Sequence, residues 1–156
     1  MADIQDYISG KIIHDANLAL KSLKFLRIPY LGSHIRKKLS ARANDFEAKI
    51  ISQESASEVI INADRCAIGE RMCRNSNKNE ILTESVYLNK LADGLVSTSR
   101  ARYVSKEEAI DLFGKYKKYP IILSKVSGNY IEMCNSYPKR CVYWNLEKHG
   151  IKCLTK

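Results

Sequence analysis

The residues in this chain best suited to chemistry are its five cysteines. All fall after residue 65, and four of them form two C-x6-C pairs, Cys66/Cys73 and Cys134/Cys141, with Cys153 twelve positions further on. Four thiolates are the usual ligand set of structural zinc and of iron–sulfur clusters. The six-residue separation matches neither the tight zinc knuckle, whose cysteines stand two to four residues apart, nor the closely spaced cysteine runs of bacterial ferredoxins. A longer loop has more reach and suits a centre larger than one ion. The expectation is a cysteine-ligated metal protein. Cys66, Cys73, Cys134 and Cys141 would hold an iron–sulfur cluster for electron transfer or redox sensing, with zinc as the structural variant and Cys153 as the reserve ligand.

The residues around the cysteines fit that expectation. Arg65, Arg71, Arg74, Lys139, Arg140 and Lys152 flank them and would offset the negative charge of thiolates and lower their pKa values. Gly69 permits close backbone approach to sulfur. Three other readings compete. Disulfides within or between the pairs would leave one cysteine over, although a reducing cytoplasm disfavours them. Unlinked thiols could pack a core beside Val142, Trp144 and Leu146 as small hydrophobes. A thiol enzyme would need one nucleophilic cysteine, and nothing selects one, so no catalytic residue is named and enzymatic activity is left undecided. Trp144, Tyr130, Tyr137 and Tyr143 surround the second pair; ordinary core packing accounts for them ahead of shielding a cluster.

Other catalytic patterns are absent from the sequence. It holds no Walker A loop, G-x-G-x-x-G, H-E-x-x-H or G-x-S-x-G, and His14, His34 and His149 are scattered. Charge supplies the second class of function. The 26 Lys and Arg outnumber 17 Asp and Glu, and most of the +9 excess lies after residue 60. Lys115, Tyr116, Lys117 and Lys118, followed by Tyr119, interleave cations with rings that can stack on bases. Arg36, Lys37, Lys38 and Arg42 read as an exposed polar helix face. The alternative is therefore a basic module that binds nucleic acid or an acidic protein, its cysteines structural or disulfide-bonded. A redox partner protein or a nucleic acid is the expected partner.

These residues need elements to position them. Ile4, Ile8, Ile12, Leu18 and Leu23 predict an amphipathic helix from Asp3 to Arg27 that runs through Gly10. Pro29 and Gly32 break it, and Ser33 caps a second helix to about Gln53, giving a helical hairpin. Glu58 to Ala63 reads as a strand, 75–79 as a loop, and Thr83 to Val96 as a helix. Arg102 to Val104 reads as a short strand before a capping box at Ser105–Glu108. Pro120 to Val126 is the clearest strand, Ser127–Asn129 a turn, Tyr130–Cys134 undecided, and Pro138 opens a helix ending near Gly150. If the strands at 59–63 and 120–126 were neighbours, both cysteine loops would lie at one end of the sheet. The fold class is α+β, an N-terminal helical hairpin followed by a small sheet with packed helices. The whole, 1–156, is one compact domain, with 1–55 helical and 56–156 a cysteine-containing α/β part. No run reaches the ~20 apolar residues of a membrane helix, and the acidic, interrupted N-terminus is no secretory signal. A cytoplasmic location without membrane contact is expected.

Overall fold

A computed structural model describes residues 1–73 and 82–156. The chain opens with α1 (Ile4–Ile8), α2 (Lys11–Ser22), a 3-10 turn (Leu23–Arg27) and α3 (Leu31–Asn44), continues through β1 (Lys49–Ile51) and α4 (Gln53–Ile61), and enters β2 (Cys66–Glu70). It then forms β3 (Glu84–Leu88), α5 (Asn89–Ser97), β4 (Ala101–Val104), α6 (Lys106–Lys115), β5 (Ile121–Val126), β6 (Asn129–Asn135) and α7 (Val142–Lys148). The architecture is α+β, as the sequence predicts, with the helical segment at the N-terminus. The six strands form one sheet in the order β1-β5-β6-β3-β2-β4, and every pair of neighbours is antiparallel. The outer edge of β1 is covered near the C-terminus, where the Ile50 N–H donates to the Thr155 carbonyl at 2.8 Å.

Local chemistry explains where elements depart from the sequence reading. Gly10 does interrupt the first helix: it adopts φ +77° at the start of α2, and a Cβ there would collide with the Arg100 guanidinium. The second helix stops at Asn44, and β1 occupies the segment expected to be helical. Glu58–Ala63 is not a strand but the end of α4 and the residues just after it. Ser52 caps that helix by accepting from the Ser55 N–H at 3.1 Å, and its buried Ala56 and Ile60 stand four apart on one face. The expected helix from Thr83 is a strand as far as Leu88 and a helix only from Asn89. The expected loop at 75–79 lies outside the described residues. Ser105 does cap α6 through the Glu108 N–H at 3.1 Å, but the Glu108 carboxylate turns away to Arg102, so the capping box is half made.

The hairpin β5–β6 turns on Ser127 and Gly128, both at positive φ, as a two-residue turn of matching twist requires. This turn also anchors the N-terminus. The Ser127 N–H donates to the Ala2 carbonyl at 2.7 Å, and Ser127 Oγ accepts from the Ile4 N–H at 3.0 Å.

Strand pairing assigns side chains to two faces. Val86 pairs with Met133 and Tyr87 with Glu132, so Met133 and Glu132 define opposite sides. On the Met133 side lie α4 and α6, joined where Gln53 Nε2 donates to the Phe113 carbonyl at 2.9 Å. On the Glu132 side lie α1, α2, α3 and α7, with α5 packed beside α1.

Candidate functional site: a buried cavity of thiols, arginine and glutamate

The register separates the cysteines before any distance is considered. Cys66 pairs with Leu88, which shares a face with Val86 and Met133; Cys134, one residue beyond Met133, faces the other way. Cys66 therefore sits under α6, where burial pushes its thiol up and Lys106 opposes that shift. The remaining three predicted ligands line a common cavity. Cys134 on β6, Cys141 at the entrance to α7 and Cys73 in the turn after β2 line one cavity of about 90 Å³ between the sheet and the helices α2, α3 and α7. All five cysteines carry free thiols. Cys153 sits in a separate apolar cluster with Leu146 and Ile151, its Sγ directed at the Tyr143 carbonyl at 3.7 Å. Burial raises its thiol to about 12, helped by the Glu147 carboxylate that binds its N–H.

Two charged groups share the cavity. Arg71, one of the cations expected to offset thiolate charge, is 3% exposed, and its Nη1 donates to the Leu82 carbonyl at 3.1 Å. Glu132, paired with Ser124 across the sheet, accepts from the Tyr7 hydroxyl at 2.5 Å. Burial drives the Glu132 carboxyl up to about 7, while the Tyr7 hydrogen bond and the Arg71 charge pull it down. Burial also lifts the Cys134 thiol well above its ordinary value and the Cys141 thiol to about 12. Arg71 opposes both shifts, and the neighbouring cysteines reinforce them: Cys73 and Cys141 at Cys134, Cys73 at Cys141. The backbone amides of Trp144 and Tyr143 also favour a Cys141 thiolate. Three thiols thus feel one another and one guanidinium across one cavity.

Arg42 holds the helices over this space. Its Nη2 donates to Asp6 at 2.8 Å and to Asp15 at 3.2 Å, and its guanidinium lies 5.5 Å from the Phe46 ring centre, tying α1, α2 and α3 together. On the sheet side, the Tyr143 hydroxyl stands 3.2 Å from Ser124 Oγ, and Trp144 Nε1 donates to Ser136 Oγ at 2.9 Å. Tyr143 forms part of the cavity wall, and Trp144 packs behind it against the cluster of Ala48, Ile122, Cys134 and Cys141.

Among the described residues, no group of three or more His, Cys, Asp or Glu stands close enough to hold a single metal ion. Lys115, Tyr116, Lys117 and Lys118 lie at the end of α6 and beyond it, away from the cavity. The three lysines are exposed, with Lys115 Nζ over the Tyr116 ring at 5.2 Å and Lys118 Nζ over Tyr119 at 5.2 Å. Asn135 Nδ2 pins this turn through the Tyr116 and Tyr119 carbonyls, each at 3.3 Å. Sequence reasoning missed Glu132 and Tyr7. Alternation along β6 marks Glu132 as opposite Ile131 and Met133, which ordinarily means solvent; only the helices above the sheet make it interior. Comparison with family models, curated proteins and solved structures finds no match for this chain.

Proposed function

We propose that the protein holds a thiolate-ligated iron–sulfur cluster in the cavity, for electron transfer or redox sensing, through Cys73, Cys134 and Cys141. The observation that supports this is convergence. Three cysteines from two distant parts of the chain line one buried space beside Arg71, whereas Cys66 and Cys153 do not. The six-residue separation within each C-x6-C pair, longer than that of a zinc knuckle, is the reason to prefer a cluster to a single zinc ion. Ligation removes the thiol protons that burial otherwise retains, and Arg71 offsets the charge so created. With three thiolates converging, Glu132 is the buried oxygen donor available to complete the set. A reducing compartment, the cytoplasm, suits such thiols, and a redox partner protein would exchange the electron.

The test is iron and acid-labile sulfide analysis with a visible spectrum, on protein purified without oxygen and on five single Cys→Ser variants. Cys73→Ser, Cys134→Ser and Cys141→Ser should each lose most of the iron and the colour, while Cys66→Ser and Cys153→Ser keep both. Protein without iron and sulfide, or five variants with equal iron content, sinks the proposal. Zinc in their place transfers the site to the structural reading.

A further inference from the structure

The corner between the 3-10 turn and α3 gathers the densest group of exposed apolar side chains among the described residues. Phe25, Ile28 and Leu31 are between 41% and 47% exposed and Tyr30 is 94% exposed, within seven consecutive positions that also hold the exposed cation Arg27, with exposed Lys24 just before them. An exposed cluster of this kind marks an interaction surface. The backbone holds it out at a cost. Tyr30 has φ +61° and ψ −53°, and the Leu31 N–H donates to the Pro29 carbonyl at 2.7 Å, a γ-turn of the strained hand at a residue with a large side chain. The corner is also closely built, because a Cβ on Gly32 would strike the Leu26 carbonyl oxygen. Strain maintained in a tight corner, with the ring pointed at water, suits a surface that is covered in use.

The charge around the corner says by what. From residue 16 to residue 44 there is no Asp or Glu; of the seven Lys and Arg, Arg42 is paired with Asp6 and Asp15, which leaves six. The partner is therefore anionic and also accepts aliphatic side chains. Bases stack on aromatic rings, but Ile28 and Leu31 have no ring to offer them. An anionic bilayer takes both features at once: aliphatic and aromatic tips enter the boundary between headgroups and acyl chains, while Lys and Arg stay among the phosphates. We infer that the Lys24–Leu31 corner docks this protein on anionic phospholipid membrane surfaces. The docking is peripheral, in keeping with the absence, among the described residues, of any helix long and apolar enough to cross a membrane. It is independent of the thiol cavity.

The experiment is co-sedimentation of the full chain with vesicles of phosphatidylcholine, with and without phosphatidylserine. Binding should require phosphatidylserine and weaken as salt is raised. Lys24→Glu with Arg27→Glu should lower the partition constant about 25-fold or more, at about five-fold per cation lost. Ile28→Asp with Tyr30→Asp should lower it at least as far as one of those cations does, with the far-ultraviolet circular dichroism of the variants unchanged because all four side chains are exposed. Lys117→Glu with Lys118→Glu, at the other basic segment, should leave binding within about two-fold. Equal binding to both vesicle types, binding to neither, an equal loss in the Lys117/Lys118 variant, or capture of a single-stranded oligonucleotide in place of vesicles would each overturn the inference.

Discussion

Replacing Glu132 with glutamine isolates the cost of a buried carboxylate. The Glu132 carboxyl is held at about 7 against an ordinary value of 4.5. At about 1.4 kcal/mol per pH unit, that gap is worth roughly 3 kcal/mol. Below pH 4.5 the group is protonated in both the folded and the unfolded chain and costs nothing. Between pH 4.5 and 7 the unfolded chain releases the proton that the fold retains, so stability falls as pH rises. Above about 7 both states are ionised and the full penalty remains. The facing groups stay constant over this range: burial holds the protons of Tyr7, Tyr87, Tyr143 and Cys134 well above it, and Arg71 keeps its charge. The substituted amide cannot ionise, and its oxygen can still accept from Tyr7. Urea unfolding of metal-free, reduced protein, followed by the fluorescence of Trp144, measures the effect. The variant should match the wild type near pH 4 and exceed it by roughly 3 kcal/mol at about pH 8.5, a midpoint shift on the order of 1.5 M urea. A difference that stays constant across the range would refute the reasoning, because it would mean that Glu132 ionises as though in water.

Met133→Ala, on the opposite face and fully buried, should cost about 2–5 kcal/mol in the same assay while leaving the iron content of folded protein unchanged. Arg42→Ala should cost roughly 1–2 kcal/mol at about pH 7. Arg42 depresses the Asp6 carboxyl, so that part of the cost should be complete above about pH 4 and fade as pH falls through the depressed value, which thermal melts across roughly pH 2–7 would detect. Ser105→Ala removes the acceptor for the Glu108 N–H and should cost about 1 kcal/mol, with the loss of protection in hydrogen exchange confined to the first turn of α6.

The sequence was most readable where local chemistry acts alone. Ser105 as a cap, Ile121–Val126 as a strand and Ser127–Gly128 as a turn each depend on a few adjacent residues. Val59, Ile60 and Ile61 misled because β-branched side chains favour strands, yet Ser52 starts a helix upstream and Ile60 needs only Ala56 beneath it. That Cys73, Cys134 and Cys141 line one cavity did not follow from the expected strand pairing, which needed 59–63 to be a strand beside 120–126, whereas Gln53–Ile61 is helix α4. The exclusion of Cys66 was not legible either, because it depends on which residues pair across β2, β3 and β6, and a shift of one position would have reversed its face. Glu132 carried no signal, since it looks like a surface charge until distant helices pack over it; Arg71 was marked by its place beside the cysteines, but its burial was not.

The bond between Tyr7 and Glu132 joins residues 125 positions apart, which has a consequence for biosynthesis. At about 5–20 residues per second, α1 leaves the ribosome roughly 6–25 s before the strand that receives it. During that interval the apolar faces of α1 and α2 have no sheet to cover them, and a chaperone is the natural occupant. Cys73 emerges in the same interval, while Cys134 and Cys141 appear only as β6 and α7 are made. Any inorganic centre that uses all three thiols must therefore wait until α7 has been made.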